Sequence, residues 1–151
     1  MPRYEAPFTK TGADSVRQIV EVLSGATTQR VRCTAFVIKN NGTETADVTF
    51  GYSLRRVTGS ATGTALTPNP VSPSDAACRS AAKHLITADA SSFNSSPIEL
   101  WSAPTNNRAT YQMQWPDDQA PEGAAVNTNG LSLGLGAVST STFAGTLQFL
   151  E

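Results

Sequence analysis

The stretch Asn107-Arg108-Ala109-Thr110-Tyr111-Gln112-Met113-Gln114-Trp115 constrains the chain most. Ala109, Tyr111, Met113 and Trp115 alternate without a break with Arg108, Thr110, Gln112 and Gln114. A period of two is a strand with one buried and one wet face, because successive Cβ atoms point to opposite sides of a sheet. Pro116 ends it, since proline cannot donate to a ladder, and Asp117-Asp118 turn the chain outward. Tyr111 and Trp115 are large, so their face needs an opposing layer. Both are expected in the core, where truncating Trp115 costs about 3–5 kcal/mol.

The same alternation recurs. Val31, Cys33, Ala35 and Val37 interleave with Arg32, Thr34, Phe36 and Ile38, and Val48, Phe50, Tyr52 and Leu54 with Thr49, Gly51, Ser53 and Arg55. Asn41-Gly42 lies between them, and such a pair favours a type I′ hairpin turn because both residues tolerate positive φ. Residues 30–39 and 46–56 are therefore expected to pair. Further strands are read at Ser15–Leu23, Leu85–Ala88, Ile98–Ser102, Gly130–Leu135 and Phe143 onward, so the C-terminus is a strand. Prolines 68, 70 and 73 rule out a ladder there. Ser74 or Asp75 can cap a short alanine-rich helix through Lys83. Seven or eight strands joined by Gly/Pro turns predict an all-β protein, an antiparallel sandwich of jelly-roll type.

At 151 residues the chain suits one domain. It is long enough to bury about 68–70% of its unfolded surface. Residues 13–151 are read as that domain and residues 1–12 as an extended N-terminal arm, because Pro2 and Pro7 disfavour a helix or a central strand. Tyr4 and Phe8 are too large to stay loose in water. With Arg3 and Lys10 they are the candidate partner contacts, Tyr4 and Phe8 as anchors. An arm folded back on its own sandwich is the alternative.

Chemistry is sparse. His84 is the only histidine and reads as polar surface. Asp117, Asp118 and Glu122 could chelate calcium but read better as a solvated turn. Gly59-Ser60-Ala61-Thr62-Gly63 lacks the lysine of a phosphate loop and the central serine of a nucleophile elbow. Cys33 and Cys78 are expected as free thiols, with a pairing left open. No catalytic residue, cofactor site or metal site is assigned, and the expectation is that the protein is not an enzyme.

Charge excludes some partners. The net charge is −1 and the charged fraction 15%, which gives no general attraction to nucleic acid or an anionic membrane. Charge is uneven along the chain: eight Lys/Arg against five Asp/Glu through Arg56, and three against seven after it. No stretch approaches the roughly 20 apolar residues of a membrane span. Met1-Pro2-Arg3-Tyr4-Glu5 lacks the apolar run of a signal peptide, so cytoplasmic synthesis is expected.

Three stretches carry a resemblance. They are Gly59-Ser60-Ala61-Thr62-Gly63-Thr64-Ala65-Leu66-Thr67-Pro68 after an Arg-bearing strand, Asn107-Arg108-Ala109 to Trp115-Pro116, and Gly130-Leu131-Ser132-Leu133 before a closing strand ending in Glu151. With the length, they resemble the head-decoration or capsid-cement proteins of tailed bacteriophages. The resemblance rests on loose composition patterns. It implies a jelly-roll-like domain, often a homotrimer, bound outside the major capsid protein, with no catalysis and no cofactor. A carbohydrate-binding β-sandwich with Trp101 or Trp115 as stacking platform is the alternative, and a hydrolase with an unrecognised site a more distant one.

Overall fold

The computed structural model describes residues 1–11, 16–41, 49–95, 98–106, 108–139 and 141–151. It is an all-β sandwich of two antiparallel sheets. Among the described residues eleven strands form: β1 (Arg3–Lys10), β2 (Gln18–Leu23), β3 (Arg32–Asn40), β4 (Thr49–Thr58), β5 (Thr62–Leu66), β6 (Asn69–Pro70), β7 (Ala81–Ala88), β8 (Ile98–Asn106), β9 (Tyr111–Gln114), β10 (Asn129–Leu135) and β11 (Phe143–Leu150). A short helix, α1 (Ser91–Ser95), precedes β8. One sheet has the order β6-β1-β11-β3-β9 and the other β5-β7-β2-β10-β4-β8.

The pairing is nested. β1 pairs with β11, β2 with β10, β3 with β9 and β4 with β8, all antiparallel. The first strand thus meets the last, the second the last but one, as in one long hairpin. Two further pairings, β11 with β3 and β10 with β4, roll that hairpin into two layers. β5 to β7 and α1 lie between β4 and β8, at the inner end of the hairpin.

Several expectations are corrected here. Residues 30–39 and 46–56 do not pair: β3 and β4 lie in opposite sheets. Gly42 of the expected turn lies outside the described residues. The arm over residues 1–12 is instead β1, paired over eight residues with β11. Pro7 is tolerated because β6 covers β1 only at Tyr4 and Glu5, so the rest of β1 is a sheet edge. The helix expected up to Lys83 is absent, and Ala81–Ala88 is β7, paired with β2. Alanine's helix propensity is a few tenths of a kcal/mol per residue and yields to such a ladder. The expectation of no ladder at the prolines of 68–73 also fails, since β6 forms a two-residue ladder with the edge strand β1. With β5 and β7 it takes the strand count beyond seven or eight.

The core lies between the sheets and is aromatic. Tyr4, Phe36, Tyr52, Phe143 and Phe149 are at most 1% exposed and join Leu54, Leu131, Leu133 and Leu147 in one cluster. Tyr52 meets the Phe143 ring edge-on at 6.0 Å. The middle of the outer face of the six-stranded sheet is roofed. Phe93 of α1 packs on Leu23 and Val57, over Gly134, where a Cβ would collide with its ring. Glu21 accepts hydrogen bonds from the Ala61 N–H at 3.0 Å and the Ser60 hydroxyl at 2.8 Å, fixing the loop before β5. Burial pushes the Glu21 carboxyl above its ordinary range, against the opposing pull of these donors and of Lys83.

Tyr52 gives a testable exception to good pairing. Its hydroxyl is buried with no hydrogen-bond partner among the described residues. Burial pushes the phenol up to about 12. A buried unpaired hydroxyl costs about 1–3 kcal/mol of desolvation. Tyr52→Phe should therefore raise stability by about 1 kcal/mol at neutral pH. The unfolded chain ionises this phenol near pH 10 and the folded chain near 12. Between those values the unfolded state binds fewer protons, so this group's effect is absent below pH 10 and lowers stability as pH rises. Urea midpoints at neutral and alkaline pH should show the variant more stable, with a shallower alkaline decline. A lower midpoint at neutral pH would show that the hydroxyl is paired.

Candidate interaction surface

Unlike its partner, the five-stranded sheet leaves its outer face accessible. The alternation of β1, β3, β9 and β11 buries one set of side chains and turns the other outward. The register aligns the outward set into rows. Glu5, Gln148, Ala35 and Gln114 form one; Pro7, Thr146, Val37 and Gln112 form the next. Gln112, Gln114 and Pro7 are exposed, and Ala35, Val37, Thr146 and Gln148 half-buried. Glu5, the one charged member of these rows, accepts a hydrogen bond from Gln148 Nε2 at 2.7 Å. A shallow depression of about 100 Å³ runs between Ala35, Val37, Gln112 and Thr146.

Apart from the Glu5 carboxylate, these rows hold amides, short aliphatics and a hydroxyl. Centres of protein–protein interfaces are depleted of charge, because a desolvated unpaired charge is costly. Amides can satisfy a partner's backbone, and short side chains let it approach. Sequence reasoning found half of the face: Gln112 and Gln114 were read as the wet side of their strand. It did not bring Val37 or Thr146 beside them, because β3 and β11 join β9 only through long-range pairing.

The residues expected to anchor a partner are spent inside the domain. Tyr4 and Phe8 are 1% and 3% exposed. Tyr4 packs on Phe149 at 5.7 Å and donates its hydroxyl to the Ala76 carbonyl. Lys10 is fully buried and donates to the carbonyl oxygens of Thr11 and Ser139. Arg3 remains partly exposed and bridges Asp117 at 2.9 Å. The expectation of four intermolecular contacts is thus corrected for Tyr4, Phe8 and Lys10, whose alternate positions on β1 face the core.

The remaining groups are dispersed. Glu122 bridges Arg30 and Arg32, so Asp117 and Glu122 each face an arginine instead of sharing a cation. His84 Nδ1 accepts from the Thr9 N–H at 3.3 Å, linking the facing edges of the two sheets. Cys33 is buried and Cys78 half-buried, both free. Burial raises the Cys33 thiol well above its ordinary range and Cys78 to about 12, the latter also through the Glu151 carboxylate. Neither is a ready nucleophile. No group of three His, Cys, Asp or Glu placed to hold a metal ion occurs among the described residues. Among them, no helix is long and apolar enough to cross a membrane.

β9 is the outermost strand of its sheet, which refines the Trp115 expectation. The Trp115 and Tyr111 rings lie 5.9 and 6.0 Å from Phe36, yet both residues are only half-buried. Trp115→Ala should cost about 2 kcal/mol, less than the 3–5 of a fully enclosed aromatic. A denaturation midpoint resolves the two values. The Trp101 side chain lies outside the described residues.

Comparison with family models, with curated proteins and with solved structures finds no match.

Proposed function

We propose that this chain is a structural virion protein. It binds the outside of a phage capsid as a decoration or cement protein and stabilises contacts between major capsid protein subunits. The observation that carries the reading is the accessible, weakly charged face of the five-stranded sheet, set against a second sheet whose outer face is roofed at its middle by its own chain. The sandwich has one side built for itself and one left for a partner. The nested strand order supports it too: we read β1-β11-β3-β9 facing β2-β10-β4-β8 as a jelly roll, one long hairpin rolled into two sheets. In this reading the protein is a homotrimer on the shell, since closed symmetry is the common solution for copies of one chain. It performs no catalysis. The carbohydrate-binding reading loses Trp115 as a free platform, because that ring packs on Phe36.

Purified particles test the proposal. The protein should sediment with intact capsids, in clusters of three copies, and rebind shells from which it has been stripped. Val37→Lys and Gln112→Glu place charge in the centre of the open face. Both should keep their melting temperature and lose rebinding. Absence of the protein from particles sinks the reading. Normal rebinding by both variants would move the contact to another face.

A further inference from the structure

The five-stranded sheet ends at β9, and that edge is bare. The Trp115 N–H donates to the Thr34 carbonyl at 2.8 Å. Ala35 lies opposite Gln114, so Thr34 lies opposite Trp115. Hydrogen-bonded and non-hydrogen-bonded pairs alternate along an antiparallel ladder. Trp115, Met113 and Tyr111 therefore direct their backbone groups to β3. Those of Gln112 and Gln114 point away from the sheet, and no described strand lies beyond β9 to take them up. Protein sheets usually blunt such an edge with lysine, proline or a bulge, because its free donors and acceptors pair with any strand that reaches them. The opposite edge is blunted in this way, by Pro7 and by β6. β9 reads Tyr-Gln-Met-Gln, with no charge, no proline and no bulge in its ladder.

The chemistry along this edge is symmetric about Met113. Gln112 and Gln114 flank it, Tyr111 and Trp115 follow, and Arg108 and Asp118 stand at equal distance on either side. The two glutamines are exposed. Tyr111, Met113 and Trp115 are half-buried, which leaves part of each for a further strand to cover. A stretch that matches its own reverse is what a two-fold contact demands, since there the same patch meets itself.

We infer that β9 pairs antiparallel with β9 of a second copy of this chain, about a two-fold axis at Met113. Gln112 lies opposite Gln114 of the second copy and exchanges both backbone hydrogen bonds with it; the converse pair does the same. Tyr111 stands opposite Trp115 of the second copy, an aromatic cross-strand pair. Arg108 is brought toward Asp118 of the second copy. At an exposed rim that pair adds little affinity, but a parallel alignment would set like charges together, so it selects the antiparallel one. The two open faces then lie side by side in one continuous sheet. This inference does not depend on the reading just given, and a two-fold edge is compatible with a three-fold contact elsewhere on the chain.

Sedimentation equilibrium of the full chain tests it, up to about 1 mM because so short a contact is weak. The native protein should double in mass as concentration rises. Gln112→Lys with Gln114→Lys sets like charges opposite each other and should weaken this association about tenfold or more. Gln112→Lys with Gln114→Glu sets opposite charges across the same two pairs and should restore it. Both positions are exposed, so both variants should melt like the native chain. Restoration also fixes the register, because an axis at Gln112 would bring lysine against lysine. No shell is present in this measurement, so its outcome is separate from capsid rebinding. A native mass that does not rise overturns the inference and leaves the edge to a strand of different sequence. Association that survives the two lysines, or is lost equally in both variants, overturns it as well.

Discussion

Deleting residues 1–10 should abolish cooperative folding. The segment forms β1 and pairs along its whole length with β11. Its removal takes Tyr4, Ala6 and Phe8 out of the main core cluster and strips the edge of β11. Truncating one buried aromatic costs about 3–5 kcal/mol, and domains of this size are stable by only about 5–15 kcal/mol. Two aromatics and an eight-residue ladder together exceed that margin. Far-UV circular dichroism and thermal unfolding of the truncated chain would show it. A truncated protein that melts at the native temperature would make residues 1–10 dispensable for the fold, as a true arm would be.

Gly145→Ala should be among the most damaging single-methyl changes at the described glycines, costing about 3 kcal/mol or more. Gly145 is on β11, between β1 and β3, opposite Phe8 and Ile38. A Cβ there would collide with the Val37 carbonyl oxygen and lie 2.7 Å from Phe8 Cζ. The carbonyl belongs to a paired backbone and cannot rotate away like a side chain. Relief requires β3 to shift, which disturbs the ladder and the aromatic packing together. By contrast, Gly51→Ala places its Cβ no closer than 4.0 Å to another residue and serves as a control. Urea denaturation of both variants decides it. Equal midpoints would mean that β11 can move away from β3 at no cost.

The two expectations bear on different kinds of information in the chain. Alternation at 109–115 identified β9, though the strand is only Tyr111–Gln114 and Ala109, expected on the buried face, is exposed before it; it assigned Tyr111 and Met113 to the inner side and Gln112 and Gln114 to the outer side. The same period located β3, β4, β10 and β11. The open face was therefore half visible: its glutamines were named, its Val37 and Thr146 neighbours were not. The bare edge of β9 had no signal at all, because strand order is decided across the folded chain. Proline misled at the N-terminus, since its effect depends on whether a strand has a neighbour on both sides.

The sequence by itself determined that this protein is all-β, which side of most strands is apolar, and where turns interrupt them. These are local properties, set by the two-residue repeat of the strand and by the restricted φ of glycine and proline. Tertiary structure alone decided which strand lies beside which. Strand 3–10 pairs with 143–150, and strand 32–40 with both 111–114 and 143–150. Periodicity tells a residue to face inward but does not say against what. It also decided that the alanines of β7 extend instead of coiling, because a ladder with β2 outweighs a weak local preference. The division into one roofed and one open face follows from where that inserted segment folds back.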